Sequence, residues 1–453
     1  METFFIKALQ LILSLSILVI IHEFGHFLFA RLFKIRVEKF YLFFNPWFSL
    51  FKYKPKNSDT EYGIGWLPLG GYVKISGMID ESMDKEQMAQ PPKPWEFRSK
   101  PAWQRLLVMV GGVLFNFLLA IFILSMMLVA WGDTYLPLKN VKSGMVFSET
   151  VKAGGFQDKD ILVSADGKEL VQGRGVLDMN SLMDFIDAST VTVERNGELV
   201  DITLPANFAD NVIASKKSPF DFWAPALIDS VTPNTEASRL GLMKGDSITA
   251  LDSVSINSFN RLQTIVARKT RDLKDDEKTS LAITYYRNGR DSTIIAQLDT
   301  SAVIGVSSLF TPFAKQDLRT DHYSFFASFP AGVKMGVETL KGYVAQIRFV
   351  FSKEGVKNLG GFAAIGNLFP AEWNWHSFWT MTAFLSIILA FMNILPIPAL
   401  DGGHIMFLLY EVVTRRQPSE KFMEYAQMAG MLFLLLLLVV ANGNDIIRIF
   451  FKG

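Results

Sequence analysis

The sequence predicts a polytopic α-helical membrane protein with four transmembrane helices and two small β-rich domains between the second and the third helix. Three observations lead to this fold class. Half of the 453 residues are hydrophobic while only 20% are charged, the apolar residues form long blocks, and a repeat with β-strand composition separates the second block from the third. Ordinary soluble domains are less apolar, so a membrane protein is favoured.

Composition also excludes several classes of function. The 45 Lys and Arg residues balance 44 Asp and Glu residues for a formal charge of +1, so the chain lacks the basic excess that binds nucleic acid. It contains no cysteine, which excludes disulfide scaffolds, iron–sulfur clusters and cysteine nucleophiles. Any metal ion must therefore be bound by histidine and carboxylate side chains.

Four apolar blocks are long enough to cross a bilayer, which requires about 20 consecutive apolar residues. Three of them contain no Asp, Glu, Lys or Arg, and the first is interrupted by a polar cluster in its second half. The first block has no small-x-small cleavage site and is longer than the apolar part of a signal peptide, so we expect a retained helix. The blocks are residues 4–33, 106–132, 373–400 and 425–444.

Positive charges predict the orientation of these helices, because Lys and Arg in short connections stay on the cytoplasmic side. Residues 31–105 carry 13 Lys and Arg, and Arg415, Arg416 and Lys421 precede the last span, whereas the N-terminus offers only Lys7. We expect both connections to be cytoplasmic and both termini to lie on the other side. The 240 residues between the second and third spans are then exported.

The exported stretch contains an internal repeat. Gly155-Phe156-x-x-x-Asp160 returns 86 residues later as Gly241-Leu242-x-x-x-Asp246, and each copy later contains Arg-Asn-Gly, at 195–197 and 287–289. Asn-Gly between runs of β-branched and aromatic residues predicts a tight hairpin. The second copy is longer because of a charged insertion at 271–278. Two β-rich domains of similar construction are predicted.

The polar cluster of the first span is His22-Glu23-Phe24-Gly25-His26. Residues four apart lie on one helix face, about 6 Å apart along the axis, so both imidazoles can reach one metal ion while Glu23 reaches a water beside it. This spacing is that of a zinc-protease motif, with two ligands and a general base. Ionisable residues inside a span are costly and usually functional. The alternative is a structural polar cluster that joins helices.

A catalytic zinc ion usually has three protein ligands, and the residues that follow His26 offer no third one at helical spacing. Asp401 is the preferred candidate because it is the first charged residue after 28 uncharged ones. His404 is a rival ligand. Pro396 and Pro398 would end the helix before Asp401, and such broken backbone is tolerated at membrane depth where it lines a polar cavity.

These two motifs together resemble those of the site-2 protease family of intramembrane zinc metalloproteases, and the tandem domains between them narrow the likeness to bacterial members. The resemblance implies regulated cleavage of single-span membrane proteins in a bacterial cytoplasmic (inner) membrane, with anti-sigma factors or signal-peptide remnants among the candidate substrates. It implies that Zn²⁺ is bound by His22, His26 and Asp401, that Glu23 is the general base, and that Asn393, Pro396 and Pro398 line the substrate site.

Three further segments fit this resemblance. The pattern from Leu240 to Asp252 resembles PDZ domains, which bind extended peptides by strand addition; the alternative is a pair of packing modules with blocked grooves. Residues 62–75 predict an apolar hairpin that resembles the family's membrane-associated β-loop and offers an edge for an unwound substrate. In the second span, Gly112 to Asn116 resembles the family's Gly-Pro-x-x-Asn, with Val113 in place of Pro.

The predicted organisation has five parts. A membrane region at 1–132 is followed by a first PDZ-like domain at 133–215 and a second at 216–305, both periplasmic. A linker at 306–372 contains an amphipathic segment at 311–337, and a second membrane region occupies 373–453. The PDZ-like pair would filter substrates by the size of their outer domains. The main competing function is a non-catalytic membrane scaffold; a transporter is disfavoured because the spans show no inverted repeat.

Overall fold

The computed structural model of the chain describes residues 2–68, 70–78, 90–173, 180–215, 217–274, 277–308, 313–350 and 360–451. Its contacts divide the chain into two units. The helical unit contains the residues up to Gly132 and those from His322 onward, and the β-rich unit runs from Asp133 to Asp321. The β-rich unit therefore includes the described residues 306–308 and 313–321, which the sequence assigned to a linker.

The helical unit is built from long apolar helices. Among the described residues, four helices are long and apolar enough to cross a membrane, as the sequence predicted: Thr3–Leu32, Ala102–Ala130, Trp375–Ile394 and Lys421–Ile447. With labels in chain order, the helices of this unit are α1 (Glu2–Leu32), α2 (Ala102–Ala130), α8 (Phe325–Val350), α9 (Phe362–Gly366), α10 (Trp375–Ile394), α11 (Asp401–Thr414) and α12 (Glu420–Phe451).

Helix α2 is the centre of this unit, since it packs against α1, α8, α10 and α11. It crosses α1 at glycines: a Cβ added to Gly25 would lie 2.3 Å from the carbonyl oxygen of Gly111. Small residues let helix backbones approach closely inside a membrane. The start of α1 meets the segment before α10 through a 3.1 Å hydrogen bond from Lys7 Nζ to Asn367 Oδ1, so these two helices begin at the same end of the unit.

The third span is shorter than its apolar block. Helix α10 ends at Ile394, and a separate helix, α11, begins at Asp401, whereas the sequence analysis treated residues 373–400 as a single span. Pro396 and Pro398 lie between the two helices, where neither can continue the backbone hydrogen bonding. The sequence predicted this break but did not predict α11.

The sequence predicted a hairpin at residues 62–75, and this prediction is wrong: both strands form, but they do not pair with each other. The structure has a four-stranded sheet in the order β2-β3-β1-β4, in which β3 pairs in parallel with β1 and β4 pairs with the other edge of β1. Strands β3 and β4 are thus not neighbours, because a strand from earlier in the chain lies between them. The strands are β1 (Val37–Leu42), β2 (Phe44–Tyr53), β3 (Glu61–Leu67) and β4 (Tyr72–Ile75).

The β-rich unit contains two modules that repeat the same elements in the same order. The sheets β11-β10-β7-β8 and β17-β16-β14-β15 have equivalent strand orders, and each module has its own hydrophobic core. The first module consists of β6 (Met145–Phe147), α3 (Glu149–Lys152), β7 (Ile161–Ala165), β8 (Lys168–Glu169), α4 (Asn180–Ile186), β10 (Thr190–Arg195), β11 (Glu198–Thr203) and β12 (Phe220–Phe222). The second consists of β13 (Ser230–Val231), α6 (Glu236–Arg239), β14 (Ser247–Leu251), β15 (Val254–Ser255), α7 (Phe259–Thr270), β16 (Thr279–Arg287), β17 (Arg290–Leu298) and β18 (Val306–Ser307).

The two Asn-Gly turns have the predicted hairpin geometry. Asn196 and Gly197 join β10 to β11, and both have positive φ, at 54° and 87°; Asn288 and Gly289 match them at 50° and 83°. Positive φ at both central residues is the type I′ turn that suits the twist of a hairpin. The internal repeat is therefore also a structural repeat, although part of the charged insertion, residues 275–276, lies outside the described residues.

The first module also packs against segments that have no counterpart in the repeat. Helix α5 (Phe208–Ser215) contributes Phe208 and Val212 to its core, and Phe313 packs on Phe222 with ring centroids 5.8 Å apart. Strand β19 (Arg319–Asp321) pairs with β5 (Asp133–Pro137), which also pairs with β9 (Val171–Gln172). The described start of the predicted amphipathic segment thus belongs to the β-rich unit, and its helical part begins with α8.

An aspartate–arginine pair joins the same positions in both modules. Arg287 Nε and Nη2 each donate to the buried Asp246 carboxylate at 2.5 Å, and Arg195 binds Asp160 in the same way, at 2.8 and 2.6 Å. Burial by itself raises the pKa of Asp246, but the hydrogen bonds from Arg287 and the Met243 N–H outweigh it, so the pKa lies below its ordinary value. The pair therefore stabilises the fold above the unfolded-state pKa and less as the pH falls.

We expect Arg287→Met to lower the free energy of unfolding of the β-rich unit by about 3–5 kcal/mol at pH 7, because a buried carboxylate loses its partner. The loss should shrink as the pH falls below the ordinary aspartate pKa of about 4 toward the lower pKa of folded Asp246. Amide hydrogen exchange of β16 and β17 in the full chain measures it. Arg239→Met, which breaks the pair between the exposed Arg239 and the partly buried Glu236, is the control and should reduce the protection much less. Equal losses in the two variants would contradict the assignment.

Candidate active site

Three side chains predicted as metal ligands meet in the helical unit. His22 Nε2 lies 3.1 Å and His26 Nε2 lies 3.4 Å from Asp401 Oδ2, and the two Nε2 atoms are 3.2 Å apart. Among the described residues they form the group of histidine and carboxylate side chains that could hold a metal ion. Side chains from two distant parts of the chain are thus within ligand distance of one point.

The hydrogen bond of His26 indicates which of its ring nitrogens can face the other two side chains. His26 Nδ1 is 2.8 Å from the carbonyl oxygen of Val108, and a carbonyl only accepts, so Nδ1 carries the proton and Nε2 carries the lone pair. The buried Oδ2 of Asp401 finds no hydrogen-bond donor in the described part of the chain. A carboxylate oxygen and imidazole nitrogens that converge in a buried site can together hold a cation.

The spacing fits a tetrahedral zinc ion. Zinc binds histidine nitrogen and carboxylate oxygen at about 2.0–2.2 Å, and tetrahedral ligands at that distance are about 3.3 Å apart. The three distances of 3.1–3.4 Å agree with this value. Two neutral imidazoles and one carboxylate also leave one position of a four-coordinate ion for water, as in catalytic sites.

Asp401 reaches the histidines because it is the first residue of α11. The loop before it contains Ala399 with φ of 75°, a left-handed conformation that is uncommon for a residue with a side chain. Gly402 follows, where a Cβ would lie 2.0 Å from the carbonyl oxygen of Leu395. The positive end of the helix dipole favours a carboxylate at this position.

The other predicted residues are placed as follows. Asn393 Nδ2 lies 3.4 Å from His22 Nε2, so it reaches the site. His404, the rival ligand, points to Gln427 of α12 with its Nε2 at 2.7 Å from the amide nitrogen. Pro398 packs against Gly403 and Gly430, and neither it nor Pro396 is among the residues that line the central cavity.

A cavity of about 370 Å³ opens at the three ligand side chains and is also bordered by Glu23. Strand β4 forms one wall, and α11 and α12 contribute His404, Gln427 and Met431. Strand β4 is the strand next to β1 at the end of the described sheet. The sequence analysis assigned this role to a β3–β4 hairpin, and the structure assigns the wall to β4.

Sequence reasoning missed two residues that shape the site. A Cβ added to Gly112 would lie 2.4 Å from His26 Nε2 and 2.6 Å from His22 Cε1, so the backbone of α2 packs directly on the two imidazoles. Val108, one turn earlier, supplies the carbonyl that holds His26. Gly112 was visible only as part of a motif, and a backbone carbonyl leaves no signal in a sequence.

The fold and the site define a class: a membrane protein in which two histidines and an aspartate that could hold a metal ion lie beside an acidic residue in a cavity. Comparison with known families identifies the family to which the chain belongs. The chain matches Peptidase family M50 over residues 10–437 and belongs to that family, whose members are zinc-dependent membrane proteases. The chain is therefore a zinc metalloprotease of the membrane.

Similar proteins cover almost the whole chain. The regulator of sigma-E protease RseP of Escherichia coli (strain K12) is 26% identical over 460 residues, which cover 97% of this chain and 98% of that protein. The metalloprotease MmpA of Caulobacter vibrioides is 26% identical over 465 residues, which cover 98% and 96% of the two chains. These findings confirm two predictions from the sequence: the protease family and zinc as the cofactor.

Proposed function

We propose that this protein is an intramembrane zinc endopeptidase that cleaves single-span membrane proteins within or near their transmembrane segment. In this proposal His22, His26 and Asp401 bind the zinc ion, Glu23 is the general base, and Asn393 with the Pro396–Pro398 loop borders the substrate. The observation that carries the proposal is the convergence of the three ligand atoms at 3.1–3.4 Å beside Glu23.

The chemistry assigned to the residues is peptide hydrolysis. Bound zinc supplies Lewis acidity to a peptide carbonyl and lowers the pKa of water. Glu23 takes a proton from the attacking water; the hydroxyl adds to the carbonyl carbon, the C–N bond breaks, and Glu23 returns the proton to the leaving amine. Asn393, 3.4 Å from His22 Nε2, is placed to donate to a substrate carbonyl that approaches the ligands.

The direct test of the proposed zinc site compares substitutions of the two candidate third ligands, Asp401 and His404. Asp401→Asn should lose both stoichiometric zinc and cleavage of a single-span model substrate by purified full-length protein, because an amide is a poor replacement for an anionic ligand. His404→Asn should keep its zinc, since His404 contacts Gln427 and is not among the side chains that converge within ligand distance. Zinc content by elemental analysis decides between them, and zinc loss in His404→Asn alone would reverse the assignment. Absence of stoichiometric zinc from the native protein would favour the non-catalytic scaffold.

A membrane-spanning substrate must unwind before cleavage, because its peptide groups are hydrogen-bonded within its own helix. We propose that the unwound segment pairs with the outer side of β4, which is the last strand of the described sheet. Successive N–H groups of a strand point to opposite edges. Of the variants Val73→Pro and Lys74→Pro, one therefore loses a hydrogen bond to β1, and the other loses an N–H donor that points outward from the sheet. The outward variant should cleave about tenfold more slowly with unchanged zinc. Native cleavage rates in both variants would rule out strand addition.

The repeated modules are assigned as PDZ-like domains on the periplasmic side of a bacterial cytoplasmic membrane, with peptide ligands as partners. Support comes from the Leu240–Asp252 pattern and from the common element order of the modules. In the first module, Phe313 and Leu318 of the same chain pack on the core. Lys159 has φ of 77°, close to the 93° of Gly245 at the matching position, and its ammonium group lies 4.5 Å from the Trp223 ring.

A further inference from the structure

Asn116 of α2 lies against the back of the first ligand imidazole. It is fully buried, and its Nδ2 is 3.2 Å from His22 Nδ1. Its Oδ1 is also buried and has no hydrogen-bond partner among the described residues. No other described side chain therefore fixes the orientation of this amide. The His22 imidazole is the polar group whose hydrogen bond determines it.

The ring of His22 needs an acceptor at this position. A neutral imidazole carries one proton, and the nitrogen without it holds the lone pair. For Nε2 to face Asp401 Oδ2 at 3.1 Å as a ligand atom, the proton must be on Nδ1. A half-turn of the Asn116 amide exchanges its two ends and brings Oδ1 to Nδ1, where it accepts this proton. Val108 O does the same for His26 at 2.8 Å, so α2 would hold both imidazoles from behind.

The backbone at Asn116 is itself held in place. Its carbonyl oxygen accepts a 2.8 Å hydrogen bond from Ser386 Oγ of α10, and both residues are buried. Asn393, two turns further along α10, approaches the opposite nitrogen of the same ring. The two asparagines thus contact the two ends of one imidazole, and Asn116 contacts the end that faces away from Asp401.

We propose that Asn116 is a positioning residue that fixes the tautomer of His22, with its side-chain oxygen accepting the Nδ1 proton so that Nε2 is directed at the zinc ion. The inference rests on the zinc ligation proposed above. Partners of this kind behind a ligand histidine typically change metal affinity by about 10–100-fold when they are removed.

The test compares two replacements of Asn116 in the full-length protein. Asn116→Leu removes the acceptor and should lower zinc affinity about 10–100-fold in a chelator titration, whereas Asn116→Asp keeps an acceptor oxygen and should stay within about threefold of the native value. A merely structural role predicts the opposite order, because a buried carboxylate without a proton to accept is costlier than an apolar side chain. Cobalt substitution gives a second readout, since the visible absorption of bound Co²⁺ should change in the Leu variant and be restored in the Asp variant.

Two controls separate this role from general damage. Ser386→Ala removes the hydrogen bond to the Asn116 backbone and should leave zinc affinity near native. Asn393→Leu alters the other end of the imidazole and should affect cleavage more than zinc affinity. Equal zinc affinity in the native protein and Asn116→Leu, or equal loss in the Leu and Asp variants, would overturn the inference. Zinc binding is measured without substrate, so a native protein that binds zinc and fails to cleave would contradict the proposed function only.

Discussion

Replacing Glu23 with Gln is expected to reduce cleavage of a single-span substrate by about 10²–10⁴-fold while bound zinc stays at the native level. The glutamine side chain would occupy the same volume beside the cavity but could not accept a proton. Glu23 is not one of the three side chains that could hold the metal ion, which are His22, His26 and Asp401. The variant should therefore still bind zinc. Initial cleavage rates and zinc content, measured on the same preparation in detergent, test this expectation.

The matched control is Glu149→Gln, which makes the same chemical change at an exposed position of the β-rich unit. Its cleavage rate and zinc content should equal those of the native chain. If Glu23→Gln cleaves at the native rate, the proton is carried by another group and the proposed role of Glu23 is wrong. If Glu23→Gln loses zinc, the residue is part of the metal site rather than a base.

Adding one methyl group at Gly112 is expected to have an effect of similar size by a different route. The new Cβ would lie 2.4 Å from His26 Nε2 and 2.8 Å from His22 Nε2, far inside contact distance of both ligand atoms. The new Cβ is attached to the backbone of α2, and the imidazole rings are attached to α1. Removing the overlap between them therefore requires a shift of about 1 Å in the imidazoles or in the helix. A displacement of about this size can cost about 10²-fold in activity.

Gly112→Ala should therefore lose zinc affinity and cleavage together, although alanine is the better helix former by about 1 kcal/mol. A chelator titration together with thermal unfolding distinguishes loss of the site from loss of the fold. Gly443→Ala in α12 is the control, because a Cβ there meets no atom of the described residues within 4 Å. Native zinc affinity in Gly112→Ala would show that the α1–α2 contact is looser than the structure indicates.

Local features of the chain were readable without the structure. The four spans follow from long apolar blocks, the two type I′ hairpins follow from Asn-Gly between β-rich runs, and the break at Pro396 and Pro398 follows from proline geometry. The pairing of His22 with His26 follows from the helical repeat. Each depends on residues within a few positions of one another, where covalent geometry and hydropathy decide the conformation.

Features that depend on distant segments were predicted less well. The parallel β1–β3 pairing separates β3 from β4, and no local turn signal encodes it because the partners are joined through an intervening strand. The choice between Asp401 and His404 rested on hydropathy in the sequence, whereas in the structure it depends on α11 beginning at Asp401. His404 lies one turn later and contacts α12 instead.

The sequence by itself determined which chemical groups are available: two imidazoles on one helix face, an adjacent carboxylate and a distant acid after a broken span. Tertiary structure decided how these groups are arranged, because α2 brings its backbone at Gly112, the Val108 carbonyl and the Asn116 amide against the imidazoles. Helical periodicity places residues four apart on one face wherever the helix lies. The direction of a ligand lone pair instead depends on which atom packs behind the ring, and that is set by close contact between helices far apart in the chain.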